Sequence, residues 1–146
     1  MAKRKSERFK ILQKLASKYE DMAAQALGKS VTNVDAQKAR LAELKQFRDE
    51  YTQQFYATGA EGISGAAIQS YQNFITQLDV AIEQQTQTVF AAEADQSHKK
   101  DLWKDKHRTT RIYEKTKEQY SAKEQKESDR REQKEQDDRI HSLKET

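Results

Sequence analysis

The chain has 146 residues, a formal net charge of +3, no proline, no cysteine and four glycines. The lack of cysteine excludes a disulfide framework and thiolate metal sites. No stretch approaches the roughly 18 consecutive apolar residues of a membrane-spanning helix. Charged residues make up 35% and hydrophobic residues 34%, with few β-branched side chains, so the composition favours helix over strand. Residues 1–10 are basic but lead into no apolar run, which speaks against a signal peptide and for a cytoplasmic protein.

The first arm is predicted over residues 7–56. Its apolar residues step by three and four through Leu12, Leu15, Tyr19, Met22 and Ala26. The phase then slips by one and resumes with Leu27, Val34, Leu41, Leu44, Tyr51 and Phe55. Gly28 and Ser30 sit at the slip. They mark either a local bend that returns the stripe to its partner or small residues tolerated at a seam.

Three of the four glycines, Gly59, Gly62 and Gly65, fall within seven residues and define a turn over 57–65. The second arm, 64–120, starts at Ser64 as N-cap. It repeats in heptads through Ile68, Tyr71, Ile75, Leu78, Ile82, Gln85, Val89 and Ala92, and the seam becomes more polar through Gln96, Lys99, Trp103, Lys106, Thr110, Tyr113, Lys117 and Tyr120. Residues 121–146 carry seven Lys/Arg and eight Asp/Glu, and form a solvated helical extension or a disordered tail. The expected fold is all-α: an antiparallel two-helix coiled-coil hairpin over 1–120 with a charged extension over 121–146.

With the turn centred near residue 61, facing residues have numbers that sum to about 122. This register puts Tyr51 with Tyr71, Leu44 with Leu78, Leu41 with Ile82, Val34 with Val89, Tyr19 with Trp103 and Phe9 with Tyr113. Taking Leu41 and Ile75 as position a, Lys38, Lys45, Thr52, Gln72, Asp79 and Thr86 occupy e and make one flank polar, with Lys45 in reach of Asp79. Arg40, Phe47, Phe74 and Ala81 occupy g on the other flank. Phe47 and Phe74 then lie side by side outside the seam. They form either a partner surface or a thickening of the core.

Residues 57–97 contain five acids and no Lys or Arg. Residues 1–20 hold seven Lys/Arg against two acids, and residues 98–118 eight against four. The two basic segments should meet, and such a field can steer a protein or a nucleic acid. No nucleic-acid-binding module or groove-reading motif accompanies it, so no nucleic-acid partner is expected. A basic coiled-coil nucleic-acid binder is the alternative from a different class.

Enzyme chemistry has no support. His98, His107 and His141 share no i, i+4 face, and no phosphate loop, GxSxG or HExxH motif occurs. Asp101 and Asp105 are crowded by Lys100, Lys104 and Lys106 as ion-pair partners. No catalytic, cofactor or metal residues are expected.

Residues 41–51 (LAELKQFRDEY) and 71–84 (YQNFITQLDVAIEQ), with the glycine-rich turn between them, resemble the FliJ family. Members are small coiled-coil components of the flagellar type III export apparatus, similar to the two terminal helices of the rotary ATPase γ subunit. The resemblance implies a non-enzymatic adaptor that is a monomer when free. Its implied partners are the hexameric export ATPase, the cytoplasmic domain of the export-gate membrane protein FlhA, and export chaperones, with membrane contact only through partners. It implies gate binding by Arg40, Leu44, Phe47, Tyr51, Phe74, Leu78, Ala81 and Gln85. By analogy with γ, the basic open end, with Lys3, Arg4, Lys5, Trp103, Lys104, Arg108 and Arg111, would enter the ATPase ring. The equivalent stalk of a virulence type III secretion system is a further alternative.

Overall fold

The computed structural model describes residues 4–145. They form two helices, α1 (Lys5–Gly59) and α2 (Gly65–Glu145), and no strand among the described residues. Residues paired between the helices rise in number along one as they fall along the other, as an antiparallel hairpin requires. Two compact units divide the chain: residues 24–101, and residues 4–23 with 102–145.

In the 24–101 unit, α1 ends at the glycine-rich turn. Gly62 adopts φ 97°, a left-handed conformation that side-chain-bearing residues rarely reach. Ser64 caps α2: its hydroxyl accepts a hydrogen bond from the Ala67 amide at 3.2 Å. Val34, Leu78, Val89 and Ala92 are buried along the seam. Gln37 and Gln85 meet across it, with the Gln85 amide donating to the Gln37 carbonyl at 3.0 Å and to its Oε1 at 2.9 Å. A polar pair at a seam position disfavours slipped registers, because any slip leaves both amides unpaired.

The expected phase slip is absent. Ser30 is buried, and its hydroxyl donates to the Leu27 carbonyl at 2.6 Å. Gly28 points away, and a Cβ added there would meet open space. The seam of α1 therefore keeps one unbroken heptad, running back from Phe55, Tyr51, Arg48, Leu44 and Leu41 through Gln37, Val34, Ser30 and Leu27. A small residue at the seam is correct for Ser30 and not for Gly28, which lies on the exposed side, and no bend is needed.

The same heptad extends into the other unit as Ala23, Glu20, Ala16, Gln13, Phe9 and Ser6, all at least partly shielded. This overturns the reading of Leu12, Leu15, Tyr19 and Met22 as seam. They are 39%, 48%, 49% and 58% exposed. The polar stripe prevails because α2 supplies polar partners. Glu20 Oε1 lies 2.6 Å from His107 Nδ1, and Glu124 accepts hydrogen bonds from both the amide and the hydroxyl of Ser6. The Glu124 carboxylate thus occupies the N-terminus of α1, where unpaired amides favour an anion. Bonding to Ser6 lowers its pKa against the opposing effect of burial, aided by the Ser6 amide and Arg4. Tyr19 lies beneath the Lys106 ammonium at 5.9 Å, while Trp103 stacks on His107 at 5.2 Å, so the expected Tyr19–Trp103 pairing is replaced. Past Ser128, α2 is exposed to Glu145.

Candidate protein-interaction surfaces

The first surface belongs to the 24–101 unit and begins with its aromatic ladder. Phe55 stacks on Tyr71 at 3.7 Å between centroids, and Tyr71 stacks on Tyr51 at 5.7 Å. Tyr51 meets Phe74 at 4.5 Å. Phe47 closes the row, edge-on to Phe74 at 6.1 Å and 6.5 Å from Tyr51. Heptad geometry explains the arrangement: Tyr51, Phe55 and Tyr71 are a or d residues, whereas Phe47 and Phe74 are g residues that flank them. The two differ in burial, Phe74 being partly shielded and Phe47 48% exposed. The expected neighbours Phe47 and Phe74 do lie side by side.

The other residues implied for gate binding separate by role. Leu78 is buried and Leu44 partly so, which makes them seam residues. Ala81 is partly shielded and Arg40 exposed. The Gln85 amide is engaged by Gln37 inside the unit. On the opposite flank, Asp79 takes Arg48 as its partner where Lys45 was expected, at 2.6 Å from Nε and 3.4 Å from Nη2. Arg48 occupies seam position a, and its length carries the guanidinium out to the flank in the two-pronged geometry that suits a carboxylate. Lys38 and Glu93 form a further pair at 3.4 Å, and the Tyr71 hydroxyl lies 3.2 Å from the Thr52 hydroxyl. This flank is polar, as expected.

The second surface belongs to the other unit, where both basic segments pack together. Lys3 lies outside the described residues. Arg4 immediately precedes α1, its carbonyl accepting from the Glu7 and Arg8 amides. The Lys5 ammonium sits 5.3 Å from the centre of the Tyr120 ring. Lys104 and Arg111 are exposed, and Arg108 pairs with Asp105 at 3.3 Å. Trp103 is half-buried against His107. Bonding to His107 pulls Glu20 below its ordinary carboxylate value, opposed by burial and helped by Thr110 and Arg111.

Reading residues 4–23 by their apolar spacing missed the exposed stripe Leu12, Leu15, Tyr19 and Met22 as a surface. Extending the Leu27–Phe55 heptad backwards without interruption would have found it. Among the described residues, no group of three or more His, Cys, Asp or Glu side chains could hold a metal ion. No helix among them is long and apolar enough to cross a membrane.

Comparison with known families matches residues 5–143 to the model described as flagellar FliJ protein. No curated protein and no solved structure matches the chain.

Proposed function

Because the chain belongs to the FliJ family of the flagellar export apparatus, we propose that it is a non-enzymatic adaptor between the hexameric export ATPase and the cytoplasmic domain of FlhA. One observation carries this reading: Phe47 stands outside the seam, half-exposed, at the end of a packed aromatic ladder. A large aromatic on a rigid support is the kind of anchor on which protein interfaces concentrate their binding energy. Tyr51 and Phe74, beside the seam residues Leu44 and Leu78, hold the ring before the partner arrives, which lowers the ordering cost of association. The gate-binding surface comprises these residues with Arg40, Ala81 and Gln85.

The basic unit is the ATPase-facing element. Lys3, Arg4, Lys5, Trp103, Lys104, Arg108 and Arg111 bias the assembly and nucleotide state of the ring by contacting its subunits unequally. Export chaperones are transient passengers. The adaptor works in the cytoplasm and reaches the inner membrane through its partners.

The test sets thermal unfolding beside affinity for the FlhA cytoplasmic domain. Phe47→Ala should keep its melting temperature and lose roughly 2 kcal/mol of binding. Full binding by Phe47→Ala would remove the gate assignment. Reversing Lys104 and Arg111 to glutamate should weaken ATPase association and flatten its salt dependence. An unchanged salt slope would place the ring contact elsewhere.

A further inference from the structure

In the unit formed by residues 4–23 and 102–145, a cleft of about 170 Å³ opens between the helices. Leu12, Leu15 and Tyr19 of α1 form one wall, Thr109 and Tyr113 of α2 the other, with the buried Ala16 between them. Met22 and Ile11 extend the apolar surface along α1, both more than half-exposed. Leu12, Leu15, Tyr19, Met22 and Ile11 stand outside the seam, which runs through Ser6, Phe9, Ala16 and Glu20, while Ala16 and Tyr113, whose ring lies 6.2 Å from that of Phe9, belong to both seam and cleft.

Positive charge predominates around the cleft, whose lining includes Lys106. On α1 in this unit, Arg8 and Lys18 share the outward heptad positions of the apolar residues, and no acid shares that face. Glu7, Glu20 and Asp21 fall on other heptad positions. From α2, the Lys106 ammonium lies over the Tyr19 ring at the rim. The carboxylate at the neighbouring outward position, Asp105, is taken by Arg108.

We propose that this cleft is a docking groove for an acidic amphipathic helix of a protein partner, which packs there as a local third helix. An i, i+3, i+4 row of apolar side chains fills the concavity between two helices, and acids beside that row meet Arg8, Lys18 and Lys106. A second copy presenting the same face would bring cation against cation. A bilayer surface would touch the rim and leave the recess between the helices empty. The inference does not depend on the gate or ATPase contacts.

The test titrates the full chain with two synthetic helical peptides. One carries a leucine row flanked by glutamates; the other has lysine at every glutamate position. Vesicles of phosphatidylglycerol and phosphatidylcholine form a third arm, and sedimentation reports self-association. The acidic peptide should bind and the basic one should not. Leu15→Ser, and separately Arg8→Glu with Lys18→Glu, should each weaken binding about tenfold. Phe47→Ala should bind normally. Circular dichroism should show Leu15→Ser melting like the parent, with Leu12→Ser as a second probe of the wall. Equal binding of both peptides would overturn the proposal. So would vesicle binding without peptide binding, or a self-association that Leu15→Ser abolishes.

Discussion

The two units use the same heptad on the same two helices but fill it with opposite chemistry. In residues 24–101 the seam holds Val34, Leu78, Val89 and Ala92, all buried; the Lys38–Glu93 pair stands outside it, and Arg48 leaves its seam position to meet Asp79 on the flank. In residues 4–23 with 102–145, the only buried apolar side chain is Ala16. There the seam is carried by Ser6 with Glu124, Glu20 with His107, and Phe9 between Tyr113 and Tyr120. The leucines of that stretch face outward. Apolar content and apolar burial are therefore separable: one stretch buries its leucine and valines for stability, the other exposes its large apolar side chains and holds its helices with polar pairs.

The sharpest way to break this contrast is to truncate one leucine in each unit. Leu78→Ala should cost about 2–4 kcal/mol, because a side chain only 7% exposed loses its packing and leaves a cavity. Leu15→Ala should cost less than about 0.5 kcal/mol, since it is already half in water. Denaturant unfolding of both variants, followed residue by residue through hydrogen exchange, reads the two costs in their own units. Equal destabilisation would return the Leu12–Met22 stripe to the seam.

Glu20 tests the polar half of the comparison. Glu20→Gln should destabilise its unit by about 1 kcal/mol at neutral pH, as expected for losing a shielded, charge-assisted hydrogen bond. The hydrogen bond with His107 holds its folded pKa below the ordinary 4.5, so the carboxylate's contribution is fully present above about 4.5. It disappears as the pH falls through the lower, folded value. The stability gap between the parent and Glu20→Gln should thus stay open at neutral pH and close in acid. Unfolding curves from neutral to acidic pH measure it, and a gap that widens in acid would contradict the assigned direction.

How much was legible in the sequence follows the same division. The turn was readable because three glycines in seven residues have no competing explanation, and Ser64 caps α2 where expected. Phe47 and Phe74 were placed side by side from heptad position alone, since the apolar seam around them set the register. In the other unit two stripes offset by one residue compete. Leu12, Leu15, Tyr19 and Met22 have the better hydrophobic period, while Ser6 and Glu20 have the partners. The choice depends on α2, where Thr110 and Lys117 offer an apolar stripe little to pack against and His107 and Glu124 offer a polar one a hydrogen bond. Such a cross-helix preference has no periodic signature in either helix. Arg48 illustrates the same limit: its guanidinium reaches Asp79 from a seam position that spacing assigns to packing.

Gly28 sharpens the finding that the heptad runs unbroken. If the helix were bent there, alanine would be resisted. In a regular, solvent-facing helical position with open space around the added Cβ, Gly28→Ala should stabilise the chain by about 0.5–1 kcal/mol. A rise in melting temperature is the expected result, and a fall would restore the bend.

The smallest effect concerns the ion pair outside the apolar seam. Lys38 and Glu93 meet at 3.4 Å, but their side chains remain 57% and 44% exposed. The Glu20 side chain, paired with His107, is 18% exposed. Water and salt screen the outer pair, and two long side chains lose rotamer freedom to form it. A double-mutant cycle with Lys38→Ala and Glu93→Ala should give a coupling below about 0.5 kcal/mol that vanishes at high ionic strength. The parallel cycle with Glu20→Gln and His107→Gln should give a larger coupling that survives salt, because its carboxylate is shielded within the interface. If the two cycles agree in size and salt sensitivity, polar chemistry contributes no more to the Glu20 seam than to an exposed flank. What holds residues 4–23 against α2 would then reduce to Ala16 and the Phe9 aromatic contacts.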